Sequence, residues 1–92
     1  MPQVFRIGAY LVYFWLNEGM PLEPIHVHIA EGTPMQNGTK IWLTQKGRCL
    51  VANNASKIPE RKLRIMMDII EARHAEIEEL WIKKFGIISY YC

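Results

Sequence analysis

Seven side chains in the second half of the chain, Leu63, Met67, Ile70, His74, Ile77, Trp81 and Phe85, follow one another at spacings of three or four. That spacing lays them along one stripe of an α-helix, and a stripe this apolar has to be buried against another surface. The ends of the segment agree. Pro59 suits a first helical turn, where its missing N–H costs nothing, Glu60 suits the positive end of the dipole, and Ser56 is available as a cap. Lys83 and Lys84 complement the negative end, Gly86 is placed for a left-handed stop, and Ile87 for the accompanying hydrophobic contact. Length is the constraint. About 26 residues make a helix of about 39 Å, against roughly 20 Å for a six-residue strand. Either the helix bends or breaks near Arg73 and His74, or part of it packs on a second subunit.

The first half reads as strands. Residues 4–7 and 10–16 are apolar, rich in β-branched and aromatic types, and separated by Gly8 and Ala9 as a tight turn. Asn17-Glu18-Gly19 closes the second strand, and Pro21 and Pro24 keep the connection extended. A third strand spans 25–31, Asn37-Gly38 turns the chain into a fourth at 40–44, and Lys46-Gly47 turns it into a short fifth at 49–52. The fold class expected is α+β: an antiparallel β-meander of four to five strands followed by a long C-terminal helix, straight or bent, packed on one face. Ninety-two residues fill one hydrophobic core, so 1–92 is a single domain, with the meander in 1–54, the helical region in 56–86 and an extra tail in 87–92. That tail, Ile87-Ile88-Ser89-Tyr90-Tyr91-Cys92, is apolar enough to add an edge strand or a contact surface.

Charge and cysteine content exclude several classes. The net charge of +2 implies no polyanionic partner by itself, but Lys40, Lys46, Arg48, Lys57, Arg61, Lys62 and Arg64 face only Glu60 over that stretch. Such runs are usually solvated surface. Cys49 and Cys92 form neither a metal-type spacing nor a disulfide framework, which reads as a reduced, cytoplasmic protein. No leader-like segment is evident, and no apolar run approaches the roughly 20 residues that span a bilayer.

Several segments resemble a known family. Pro2, Phe5-Arg6, Tyr10 and Asn17-Glu18-Gly19, followed by Glu23-Pro24-Ile25-His26-Val27-His28-Ile29, resemble the start of the bacterial domain-of-unknown-function family 4160. Lys40-Ile41-Trp42-Leu43 resembles its next strand, and Leu63, Ile70, Ile77, Trp81 and Phe85-Gly86 its helical pattern. The likeness runs from Met1 to Gly86; the loop from Gly32 to Gly38 looks longer than the family's hairpin, and the tail looks like an addition. The resemblance implies a compact α+β fold and a bacterial or phage source. Genes of this family often lie beside another small uncharacterised family, which has prompted toxin–antitoxin suggestions; it implies no established activity.

Strand alternation divides the candidate site residues. In the third strand Ile25, Val27 and Ile29 point one way, and His26, His28 and Ala30 the other. Val12, Phe14, Leu16, Ile41 and Leu43 join the aliphatic face, which the helix must cover. Leu11, Tyr13, Trp15, Lys40 and Trp42 then lie beside the histidines on the open face. An open face should be polar. This one is aromatic, so something covers it.

Three functions follow. In an interaction module, Tyr13, Trp15 and Trp42 bind a second copy or a small antitoxin-like protein; in its nucleic-acid version they stack on bases while Lys40, Lys46, Arg48, Lys57, Arg61 and Lys62 meet phosphates. In an RNA-cleaving toxin, His26 and His28 act as general base and general acid, their ordinary pKa near 6.5 suiting both roles. In a metal site the same two histidines chelate an ion, and a third ligand is needed. His74, on the helical stripe, is separated from the pair by the sheet and reads as a core-edge histidine with one hydrogen bond. No motif calls for a cofactor.

Overall fold

The computed structural model describes residues 3–15 and 23–92. Leu16, the Asn17-Glu18-Gly19 strand end and Pro21 lie outside them. The elements are β1 (Gln3–Ile7), β2 (Tyr10–Tyr13), β3 (His26–Glu31), β4 (Thr39–Leu43), β5 (Cys49–Asn53), α1 (Glu60–Ala72) and α2 (His74–Phe85). The strands form one sheet in sequence order, every neighbouring pair antiparallel. This is the expected meander, with five strands. Gly8, at φ 58°, supplies the left-handed residue of the β1–β2 turn. The β2–β3 ladder runs from Tyr10↔Glu31 to Tyr13↔His28 and stops there. Phe14 and Trp15 therefore lie beyond the ladder, and His26 is left without a partner from β2.

The helical region is broken at Arg73 (φ −106°, ψ 17°), whose N–H reaches both Ile69 O and Ile70 O at 3.0 and 3.2 Å. A straight helix of about 39 Å would overrun a molecule whose longest axis is 32 Å. The break folds both halves onto the sheet and removes the need for a second subunit that helix length raised. Arg73 is held where it turns, its guanidinium 4.6 Å from the centre of the Phe5 ring. Leu63, Met66 and Ile70 from α1 and Ile77 and Trp81 from α2 pack on Phe5, Val12, Phe14, Ile25, Val27, Ile29, Ile41 and Leu43. Met66, not Met67, is the buried methionine of α1; Met67 is half-buried beside it. Each aliphatic side chain fully withdrawn from water here contributes about 1.5–3 kcal/mol.

The helix ends differ in part from their sequence signals. Pro59 sits at the cap position itself, with no side-chain cap. Ser56 serves the sheet instead: its hydroxyl donates to Ile29 O at 3.1 Å and accepts from Thr39 N–H at 3.1 Å. Thr39, fully buried, donates its own hydroxyl to Asn54 Oδ1 at 2.7 Å, and Asn54 brackets Ile58 through both backbone groups. This closed network fixes the link from β5 into α1. At the other end Gly86 (φ 82°) makes the left-handed stop. Ile87 is 64 % exposed, and Ile88 makes the hydrophobic contact in its place. No helix among the described residues is long and apolar enough to cross a membrane.

Candidate functional site

The sheet has two chemically different faces, as alternation requires. Leu11, Tyr13 and Ala30, with Trp15 against them, form a small apolar cluster on the face away from the helices. Next to it the rings make a continuous row across three strands. Trp15 meets Tyr13 edge-on at 6.4 Å, Tyr13 stacks on His28 at 5.7 Å, His28 meets His26 at 5.0 Å, and His26 meets Trp42 at 5.6 Å. The register explains this order, since Tyr13 pairs with His28 and His26 with Trp42.

The row is covered at two places by residues the chain supplies itself. Over Tyr13 lies the 32–38 loop: the phenol donates to Met35 O at 2.6 Å and accepts from Met35 N–H at 3.0 Å. Gly38 lets this happen, because a Cβ there would collide with the Tyr13 hydroxyl and press on Ile29 O at 3.1 Å. Tyr13 is thus fully buried and presents no surface to a partner. Over Trp42 lies Tyr91, stacked at 4.7 Å with the planes 5° apart. Residues 87–92 form no strand; they cross the end of the sheet, with Ser89 O and Cys92 O accepting from Ile25 N–H and Gln45 N–H.

Both histidines are buried, and each uses Nδ1 as a donor to a backbone carbonyl: His26 to Pro24 O at 2.8 Å, His28 to Gly38 O at 3.3 Å. A carbonyl can only accept, so Nδ1 carries the proton and Nε2 the lone pair. Burial pushes the His26 pKa down to about 4, the Pro24 carbonyl opposing it less strongly. Burial lowers His28 as well. Two neutral imidazoles result. At neutral pH neither holds the second proton that a general acid must donate.

Trp81 was expected to stay on the helix side of the sheet, yet it lies 5.5 Å from His26. It reaches the imidazole where the β2–β3 ladder has ended, and its indole N–H donates to Ile87 O at 3.1 Å. His74 keeps to the other side. Its Nε2 bonds Thr44 O at 2.7 Å, and its Nδ1 lies 3.4 Å from Glu78, so it has two polar neighbours where one was expected.

The cations do not gather around the aromatic row. Lys40 shares the histidine face, but it is paired with Glu23 and lies 4.3 Å over the Trp42 ring. That pairing holds the Glu23 carboxyl below its usual range. Arg48 pairs with Glu71, and Lys46 lies in the β4–β5 turn. Arg61 and Lys62 ride on α1, against the opposite face, with Lys62 6.0 Å over Tyr10. A strand of nucleic acid stacked on the open face would not meet them. Among the described residues no three His, Cys, Asp or Glu side chains are placed to hold a metal ion, and a stable site needs more than two.

Two apolar side chains remain accessible beside these rings. Leu50 lies directly across from Trp42 on β5 and is 46 % exposed, and Met35 at the loop tip is 48 % exposed. The architecture and this face define a small α+β domain with a meander sheet, two helices on one side and, on the other, an aromatic row flanked by the Lys40–Glu23 ion pair and by exposed Arg6 opposite Leu11. A family model described as domain of unknown function (DUF4160) matches residues 9–82, and the chain belongs to that family. The match stops short of residues 83–92, and so of Tyr91. No curated protein and no solved structure matches the chain.

Proposed function

We propose that this domain is a protein-interaction module that pairs with a second copy of itself through the surface around Trp42 and Leu50. The observation that supports it is the exposure of Leu50 next to Trp42 on a face that no described helix covers. Charge supports the choice of partner. In a two-fold contact, residues near the axis meet their own copies, so an uncompensated charge would repel itself. Here Lys40 is neutralised by Glu23, and His26 and His28 are uncharged. A basic face for RNA would look different, and the histidines lack the acid half of an acid–base pair. An antitoxin-like small protein is the other occupant this surface fits.

The test is sedimentation equilibrium of the chain and of Leu50→Glu. Leu50 is exposed enough that the substitution leaves the fold intact, while burying four extra oxygens and two charges at a symmetric contact is prohibitive. The chain should associate with rising concentration and the variant should stay monomeric. If both behave alike, the self-association reading is wrong. Association only on addition of a small antitoxin-like protein would favour the second partner.

A further inference from the structure

Residues 87–92 do more than close the sheet end. Their grip is distributed: Trp81 Nε1–H holds Ile87 O, Ile25 N–H holds Ser89 O at 2.9 Å, Gln45 N–H holds Cys92 O at 3.0 Å, and Tyr90 donates its hydroxyl to Glu78. Ile88 and Tyr90 face the core. Tyr91 is the exception, lying flat on Trp42 while leaving 59 % of itself in solvent. A ring that exposed adds little to the core. What it does is cover the indole that the Leu50 surface needs.

We infer that residues 87–92 are a built-in strap, with Tyr91 occupying in cis the stacking position on Trp42 that a second copy must take to associate. The inference rests on the reading of the Trp42 and Leu50 surface as the site of self-association. The device is a side-chain flap on an anchored segment. Gly86, in the left-handed conformation, is where the chain leaves α2, and the Tyr90–Glu78 contact anchors the strap one residue before Tyr91. Opening requires only that the Tyr91 side chain rotate off the indole between two held neighbours, Tyr90 on Glu78 and Cys92 O on Gln45 N–H. The stack is a single aromatic pair, which biases the closed state without locking it.

The experiment uses the full chain with Tyr91→Ala and Tyr91→Phe. The Trp42 indole N–H resonance, assigned with Trp42→Phe, reports the stack; sedimentation equilibrium reports association with a second copy. Tyr91→Ala should move the Trp42 resonance and tighten association by about two- to twelvefold, the range that one aromatic pair sets. Tyr91→Phe keeps the ring and should match the parent. An unmoved Trp42 resonance in Tyr91→Ala overturns the strap and leaves the association surface standing. A moved resonance with weaker association also overturns it, because Tyr91 is then part of the contact. A moved resonance with unchanged association, together with an unaltered Leu50→Glu, overturns both readings. The 59 % exposure of Tyr91 keeps folding out of the comparison.

Discussion

Acidification should destabilise this domain through His26, in a pH window set by its environment. A free histidine takes up a proton near pH 6.5. In the folded chain burial holds His26 down to about 4. Between those values the unfolded chain binds a proton that the folded chain refuses, so stability falls as pH is lowered through the window and is fully present above 6.5. The full span of about 2.5 units corresponds to roughly 3 kcal/mol, of which about 2 kcal/mol is lost between pH 7 and pH 5. His28, also lowered by burial, acts in the same direction. The comparison is urea unfolding of the chain and of His26→Asn, whose side-chain N–H takes the place of Nδ1 facing Pro24 O. The variant lacks the ring packing and starts less stable, so the readout is the change with pH and not the absolute value. The parent should lose about 2 kcal/mol more than the variant on going from pH 7 to pH 5. Equal losses would falsify the claim that His26 is a buried, neutral imidazole.

Other outcomes follow from particular contacts. Gly38→Ala should cost about 1–3 kcal/mol, because the new methyl displaces the Tyr13 hydroxyl from Met35; thermal unfolding measures it, and an unchanged midpoint would place the loop elsewhere. Ile77→Ala removes a fully buried side chain of α2 and should cost about 2–5 kcal/mol by denaturant unfolding. Of the two thiols, Cys49 is pushed up to about 12, chiefly by burial, with Glu71 adding to it. Thiol titration at pH 8 should therefore show one fast group, exposed Cys92, and Cys49 should react only on unfolding. Tyr90 is raised to about 12 by its hydrogen bond to Glu78. Ultraviolet titration of Glu78→Gln should bring one tyrosine back toward 10, and no shift would mean that the anchor of the strap is not made.

The division of the sheet into an aliphatic and an aromatic face was legible because it is local: alternation in β3 and β4 places His26, His28 and Trp42 together whatever the rest of the chain does. The break at Arg73 was legible for a related reason, since chain length and sheet size conflict without it. The contacts that decide the site are of another kind. His74 and Trp81 belong to one stripe at one spacing, yet His74 bonds the end of β4 while Trp81 reaches His26. What separates them is where the β2–β3 ladder stops, a property of two strands distant in sequence from both. Tyr91 on Trp42 joins residues with no shared periodicity, so no local pattern announces it.

The same distinction reshapes the histidine pair. From sequence, two imidazoles with pKa near 6.5 form an acid and a base. But a pKa belongs to the surroundings, and these surroundings are Tyr13, Trp42, Trp81 and two carbonyls, with Lys40 and Glu23 cancelling each other nearby. A site for cleaving phosphodiesters needs charge that can move; a surface for docking needs charge that is absent. The rings that bury His26 and His28 keep them neutral, and that neutrality lets the same strand lie beneath an apolar contact without a proton to expel.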